Sequence, residues 1–125
     1  MYVIDQPHPE PTPIPGLSHA TWAGSGEGLE QLSVWRQTLA PGAATPPHSH
    51  DCDEVVVCHS GEGEVHLEGE SHSFGPGNTV ILRKNQLHQI FNTGSTPLEI
   101  LGVFGATPVN VFLPNSERLE LPWRT

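Results

Sequence analysis

The chain has 125 residues and a formal charge of −9 from five Lys and Arg against 14 Asp and Glu. That length holds one core of ordinary domain size and leaves no room for a two-domain enzyme. The negative charge repels phosphate backbones and anionic headgroups, which excludes nucleic-acid and membrane-surface roles. Gly 13 and Pro 13 accompany 35% hydrophobic residues without any repeat period, so the chain is compact and rich in turns. Eight histidines outnumber all the Lys and Arg together, and Lys84 is the one lysine. Side-chain chemistry here leans on imidazole and carboxylate.

Residues 1–28 hold an extended N-terminal segment in which prolines from Pro7 to Pro15 alternate with other residues and forbid helix. It is expected to lie on a surface or on a partner subunit, with residues 29–125 as the folded domain. The segment has no cationic start and no apolar stretch of signal-peptide length, and nowhere do 18 apolar residues run together. The expectation is a soluble, cytoplasmic protein. Cys52 and Cys58 are too few for a disulfide scaffold and lack zinc-knuckle spacing, so both are read as free thiols.

From Leu29 onward, short runs rich in Val, Ile, Leu and aromatics recur between Gly, Pro and Asn punctuation, at 32–40, 45–50, 55–59, 62–67, 79–83, 88–91, 98–104 and 109–113. This spacing predicts an all-β sandwich or barrel. Residues 78–93, free of Gly and Pro beyond the turn, compete as a helix, but Val80-Ile81-Leu82 is a β-type run and Asn85 is a turn residue. Residues 62–67 form a hairpin arm turning at Glu68-Gly69-Glu70, with Val65 and Leu67 on the core face and Glu64 and His66 on the water face.

The stretch from Gly42 to Gly61 carries the chemistry. On an extended segment, residues two apart share a face, so His48 and His50 present their imidazoles side by side. Asp51-Cys52-Asp53 is a turn-like insert, and Glu54 stands at the mouth of the strand that begins with Val55-Val56-Val57. A hairpin there returns the Glu54 carboxylate beside the two imidazoles. A third imidazole is available from His88, at the start of His88-Gln89-Ile90-Phe91-Asn92. Three imidazoles and one carboxylate suit one divalent first-row ion per chain, Mn, Fe, Co, Ni, Cu or Zn, among which ligand type does not select. Four protein ligands on a six-coordinate ion leave two positions for water, dioxygen or a chelating substrate.

The spacing of Gly42, His48, His50, Glu54 and Gly61 resembles the first motif of the cupin superfamily. The second cupin motif is met in part: Gly77, His88 and Asn92 match, Arg83 stands for the usual Pro, and Asn85 stands for the usual Gly. Asn85 can take the left-handed turn that glycine supplies. The resemblance covers roughly residues 32 to 104. It implies a small single-domain antiparallel jelly-roll barrel of six to eight strands with the metal inside one end. It also implies a homodimer that exchanges N-terminal strands.

Residues weighed for the pocket are Arg36, Gln37, Cys58, Gln86, Ile90 and Phe104, with Trp35 and Phe91 beside them. Sequence leaves open whether Arg36, or Trp35 and Gln37, face inward. An inward Arg36 would hold a substrate carboxylate as a fork. Cys58 reads more readily as a small core residue than as a ligand. His59, His66 and His72 are expected at the surface, and His8 and His19 in the irregular N-terminal segment. The serines near histidine lack a nucleophile elbow, and the neighbours of Lys84 argue against a buried Schiff base.

The leading expectation from the resemblance is a metal-dependent enzyme cleaving a small dicarbonyl, enediol or phenolic substrate with dioxygen. His48, His50, His88 and Glu54 would hold the ion, and Glu54 would also shuttle a proton as the catalytic residue. The alternatives are a non-redox isomerase or lyase on the same residues, and a non-catalytic metal-containing binding protein for a small molecule.

Overall fold

In a computed structural model, which describes residues 2–125, the chain folds into two antiparallel sheets. Nine strands follow in order: β1 (Glu10–Pro11), β2 (Leu17–Ala23), β3 (Ser33–Leu39), β4 (Glu54–Ser60), β5 (Gly63–Leu67), β6 (Glu70–Phe74), β7 (Thr79–Leu82), β8 (His88–Asn92) and β9 (Leu98–Phe104). One sheet runs β1-β2-β3-β9-β4-β7 and the other β6-β5-β8. The fold is the all-β cupin architecture that the motifs imply. Among the described residues no helix is long and apolar enough to cross a membrane.

The period-2 alternation of the sequence becomes the inside and outside of these sheets. Along β9, Leu98, Ile100, Gly102 and Phe104 are buried and the residues between them are half-buried. Leu39, Val56, Leu82 and Leu98 are at most 1% exposed and meet Val65, Phe74 and Ile90 of the second sheet in one core cluster. Burying each such side chain contributes about 1.5–3 kcal/mol. A second cluster gathers Trp35, Cys52, Phe104, Val109 and Val111, with Leu119, Leu121 and Trp123 packed against it.

Tight turns hold the registers. Glu68 and Gly69 both take positive φ, 52° and 76°, between Leu67 and Glu70, the two-residue turn whose twist matches a hairpin. Asn85 adopts φ 66°, in the position where the motif ordinarily has glycine. Its backbone N–H donates to the His50 carbonyl at 2.6 Å and so ties the two motif segments together.

Three segments depart from expectation. The segment 45–50 is not a strand: Pro46 and Pro47 remove two ladder donors, and it joins β8 through bridges at Ala44 and His48. The segment 109–113, set between Pro108 and Pro114, is not a strand either and keeps two isolated bridges through Phe112, to Ser49 and to Arg118. Residues 17–23, within the segment expected to be irregular, form β2, paired with β3 through six residues with a register shift between Thr21 and Ala23, and carry His19 into the interior. Residues 78–93 resolve into β7 and β8 rather than a helix.

Candidate metal centre

Three chain segments converge beneath Phe104. The bridge between His48 and His88 is reciprocal, each backbone N–H donating to the other's carbonyl at 2.9 and 2.8 Å. Glu54 opens β4 between Leu82 and Phe104. The ring centroids of His48 lie 4.9 Å from His50 and 4.4 Å from His88. One nitrogen from each of the three rings falls within 4.8 Å of the others, the arrangement of a group that can hold a metal ion.

The outer ring nitrogens fix what the inner ones can do. Each Nδ1–H donates to a backbone carbonyl: His48 to Pro46 at 2.6 Å, His50 to Asn110 at 2.8 Å and His88 to Gln86 at 2.9 Å. A neutral imidazole whose Nδ1 carries the proton presents a lone pair at Nε2, the atom a metal takes. Nε2 of His50 and of His88 stand 3.4 and 3.5 Å from Glu54 Oε1. Both His50 Nε2 and Glu54 Oε1 are buried without a hydrogen-bond partner. Leaving such atoms unpaired is costly, and a cation set among them satisfies both. The donor set therefore fits a divalent ion.

Electrostatics keeps the donors in the ligating form. Burial, and then the neighbouring His88 and His50, hold the His48 imidazole down to about 3. Burial also lowers His88, against the pull of Glu54 and of its Gln86 hydrogen bond. Burial pushes the Glu54 carboxyl up, but the facing His50, His88 and His48 outweigh it and hold it below the usual carboxylate range. Around neutral pH, His48 and His88 are neutral and Glu54 is ionised.

The four residues line a small cavity of about 40 Å³. Its wall is largely apolar, from Trp35, Ile90, Ile100, Phe104, Val111 and Trp123, with Gln37 and Thr45 as polar members. Trp35 and Gln37 are thus the inward parity of β3. Arg36 stands on the opposite face, 3.3 Å from Glu99 and over the Trp22 ring, so it cannot fork a ligand inside. Cys58 is buried in the core with Sγ toward the Ser60 carbonyl, away from the cavity wall. The Gln86 side chain bonds Glu68 and the Arg83 N–H, and only its backbone carbonyl serves the site. Phe91 points outward onto His66, which pairs with Glu64, while His72 lies near Glu70 on the same hairpin.

The structure adds residues that motif spacing does not reach. A Cβ at Gly102 would lie 3.1 Å from Glu54 Oε2, so this glycine makes room for the carboxylate. The C-terminal tail closes the cavity with Leu119, Leu121 and Trp123, whose alternation was a legible strand-like signal. His19 is 6% exposed, stacked on Trp123 at 4.0 Å and edge-on to Trp35.

Comparisons with known proteins agree with this geometry. The family model described as "Auxin binding protein" matches residues 4–122. Auxin-binding protein T85 of Nicotiana tabacum is 42% identical over 110 residues, covering 78% of this chain and 59% of that protein. Oxalate oxidase GF-3.8 of Triticum aestivum is 28% identical over 116 residues, covering 85% of this chain and 51% of that protein. Among solved structures, a cupin sugar phosphate isomerase from Silicibacter pomeroyi superposes with a TM-score of 0.69 at 26% identity, covering 82% of this chain and 68% of that one. The chain thus spans between half and three fifths of the length of the two curated relatives.

Proposed function

Because the chain belongs to the auxin-binding protein family of cupins, we propose that it is a metal-dependent binding protein for a small organic acid with an apolar body. The observation that carries this reading is the make-up of the cavity lining: three imidazoles and a carboxylate gathered together, and otherwise a largely aromatic and aliphatic wall. His48, His50, His88 and Glu54 would hold the metal ion, which when bound would supply Lewis acidity toward an anionic oxygen of the ligand. Trp35, Phe104 and Trp123 offer flat apolar surface to the remainder of the acid. The free volume of about 40 Å³ is well below the roughly 150 Å³ in which an engineered cavity holds benzene. An aromatic acid therefore enters only when side chains of the cavity wall shift. The outer sheet face, where Val34, Val103, Val55 and Ile81 form one row across β3, β9, β4 and β7, is where this reading puts a second copy of the chain.

The second reading is catalytic, an oxygen-dependent cleavage or a non-redox isomerisation on the same residues. The similarity to a wheat oxalate oxidase favours it. In that case Glu54, buried and held ionised beside two imidazoles, is the group positioned to accept a proton.

One experiment separates the readings. Protein purified without added metal is analysed for metal content and reconstituted with Mn, Fe, Ni, Cu or Zn. Phenylacetate and indole-3-acetate are then titrated calorimetrically into metal-loaded and chelated protein, and oxygen uptake is followed with oxalate, dicarbonyls and catechols. Binding that needs the metal, without turnover, is the expected result. A site that stays empty after reconstitution, or acid binding that survives chelation, overturns the proposal; oxygen uptake with any of these substrates moves the assignment to the enzyme.

A further inference from the structure

His19 is a buried titratable side chain that the metal site does not use. The Thr21 hydroxyl lies 2.5 Å from the Arg124 carbonyl, which can only accept, so the hydroxyl donates there. Toward His19 the same oxygen must therefore accept, and His19 Nε2, 2.8 Å away, carries the ring proton. Nδ1 is left as a bare lone pair. The Gln37 amide lies 3.0 Å from it, and only its NH2 end can satisfy that lone pair. The two ends of an amide are nearly equal in shape, so packing alone does not choose between them. Here the chain of hydrogen bonds running back to Arg124 chooses. Gln37 lines the cavity, and its Oε1 makes no hydrogen bond among the described residues, which leaves it as an acceptor for a bound molecule.

We propose that His19 is a positioning residue for ligand binding: through Nδ1 it holds the Gln37 amide in one orientation in the cavity wall, with Oε1 free for the ligand. The ring is clamped for this purpose between the stacked Trp123 and the edge-on Trp35. Burial, and then the charge of Arg124, hold its imidazole down to about 3, so the required neutral tautomer persists in ordinary buffers. The role in binding rests on the reading of the cavity as an acid site; the orientation of Gln37 does not.

The test uses the zinc-loaded 125-residue protein, indole-3-acetate as the probe because its indole N–H can donate to Oε1, phenylacetate as a control without a donor, and the Gln37 side-chain amide signal in ¹⁵N-labelled protein, identified by its absence in Gln37→Leu. His19→Phe keeps a ring on Trp123 but removes the lone pair. It is expected to shift the Gln37 amide signal and to weaken indole-3-acetate roughly three- to tenfold, the loss of about one hydrogen bond, and to weaken phenylacetate less. Gln37→Leu is expected to weaken binding similarly, with the double variant no worse than either single one. His19→Asn, whose Oδ1 can replace Nδ1 as acceptor, is expected to recover part of the affinity. An unmoved Gln37 signal in His19→Phe, or additive losses in the double variant, overturns the proposal. The unmodified protein gives an arm independent of folding defects: its His19 ¹⁵N shifts must report a proton on Nε2, and a proton on Nδ1 refutes the network. Failure of both acids to bind wild-type protein overturns the acid-site reading, and the amide and ring signals still decide the orientation.

Discussion

Gly102→Ala tests the metal centre through a residue that touches none of the imidazoles. The added Cβ would lie 3.1 Å from Glu54 Oε2 and 3.1 Å from the Phe104 ring, closer than ordinary van der Waals contact on both sides. Gly102 has no left-handed backbone requirement, so the substitution acts by space alone. Phe104 is 2% exposed and packed between Trp35 and His50, so the carboxylate is the partner that yields, by a few tenths of an ångström. Ligand distances tolerate about 0.2 Å, and disturbing a ligand's support typically costs 10–100-fold in metal affinity. A 100-fold loss removes about 2.7 kcal/mol of metal-dependent stabilisation at fixed excess metal. Zinc affinity by competition with a chromogenic chelator, alongside thermal unfolding with and without zinc, measures both quantities. The zinc-induced rise in Tm is expected to shrink markedly, while overpacking lowers the metal-free protein by only about 1–3 kcal/mol. Wild-type zinc affinity in a folded Gly102→Ala protein would refute the placement of Glu54 in the coordination sphere.

Three further outcomes follow from named contacts. His50→Ala and His88→Ala are each expected to lower metal occupancy strongly in elemental analysis, while His66→Ala, on the acidic hairpin, leaves it unchanged; equal effects from all three refute the ligand assignment. His19 and His48 are held down to about 3 in the fold against an ordinary 6.5, so between those values the unfolded chain binds more protons than the native one. Stability of chelator-treated protein is thus full above pH 6.5 and falls as pH drops toward 3, and a Tm that stays flat between pH 7 and pH 5 contradicts this. Ile81→Glu, in the outer apolar row and 56% exposed, is expected to convert a dimer to monomer in sedimentation with metal content intact; an unchanged sedimentation coefficient removes that face as the pairing surface.

Much of the site was legible before folding because its elements are local. His48 and His50 lie two apart, Glu54 follows after a turn, and Asn85 supplies the left-handed residue that lets β7 pass into β8. Arg36, Cys58 and Gln86 were not legible in the same way. Parity along β3 depends on which face of the sheet meets the second sheet, and a strand with Trp35, Arg36 and Gln37 in sequence does not state it. The Pro-rich character of residues 7–15 likewise masked β2, whose pairing with β3 runs from Leu17 opposite Leu39 to Ala23 opposite Val34 and is not a local contact.

The all-β class, the ligand-competent residue set and the turns could be read from the residues alone, since each rests on period-2 alternation, residue chemistry or backbone freedom within a few positions. The cavity could not. Its walls come from β3, β8, β9 and the C-terminal tail, and its supporting atoms, the Asn110 carbonyl behind His50, the space at Gly102 and the chain from Arg124 through Thr21 and His19 to Gln37, join residues up to 103 positions apart. Hydrogen-bond direction across such distances has no local sequence pattern, because it is set by which donors and acceptors packing brings face to face.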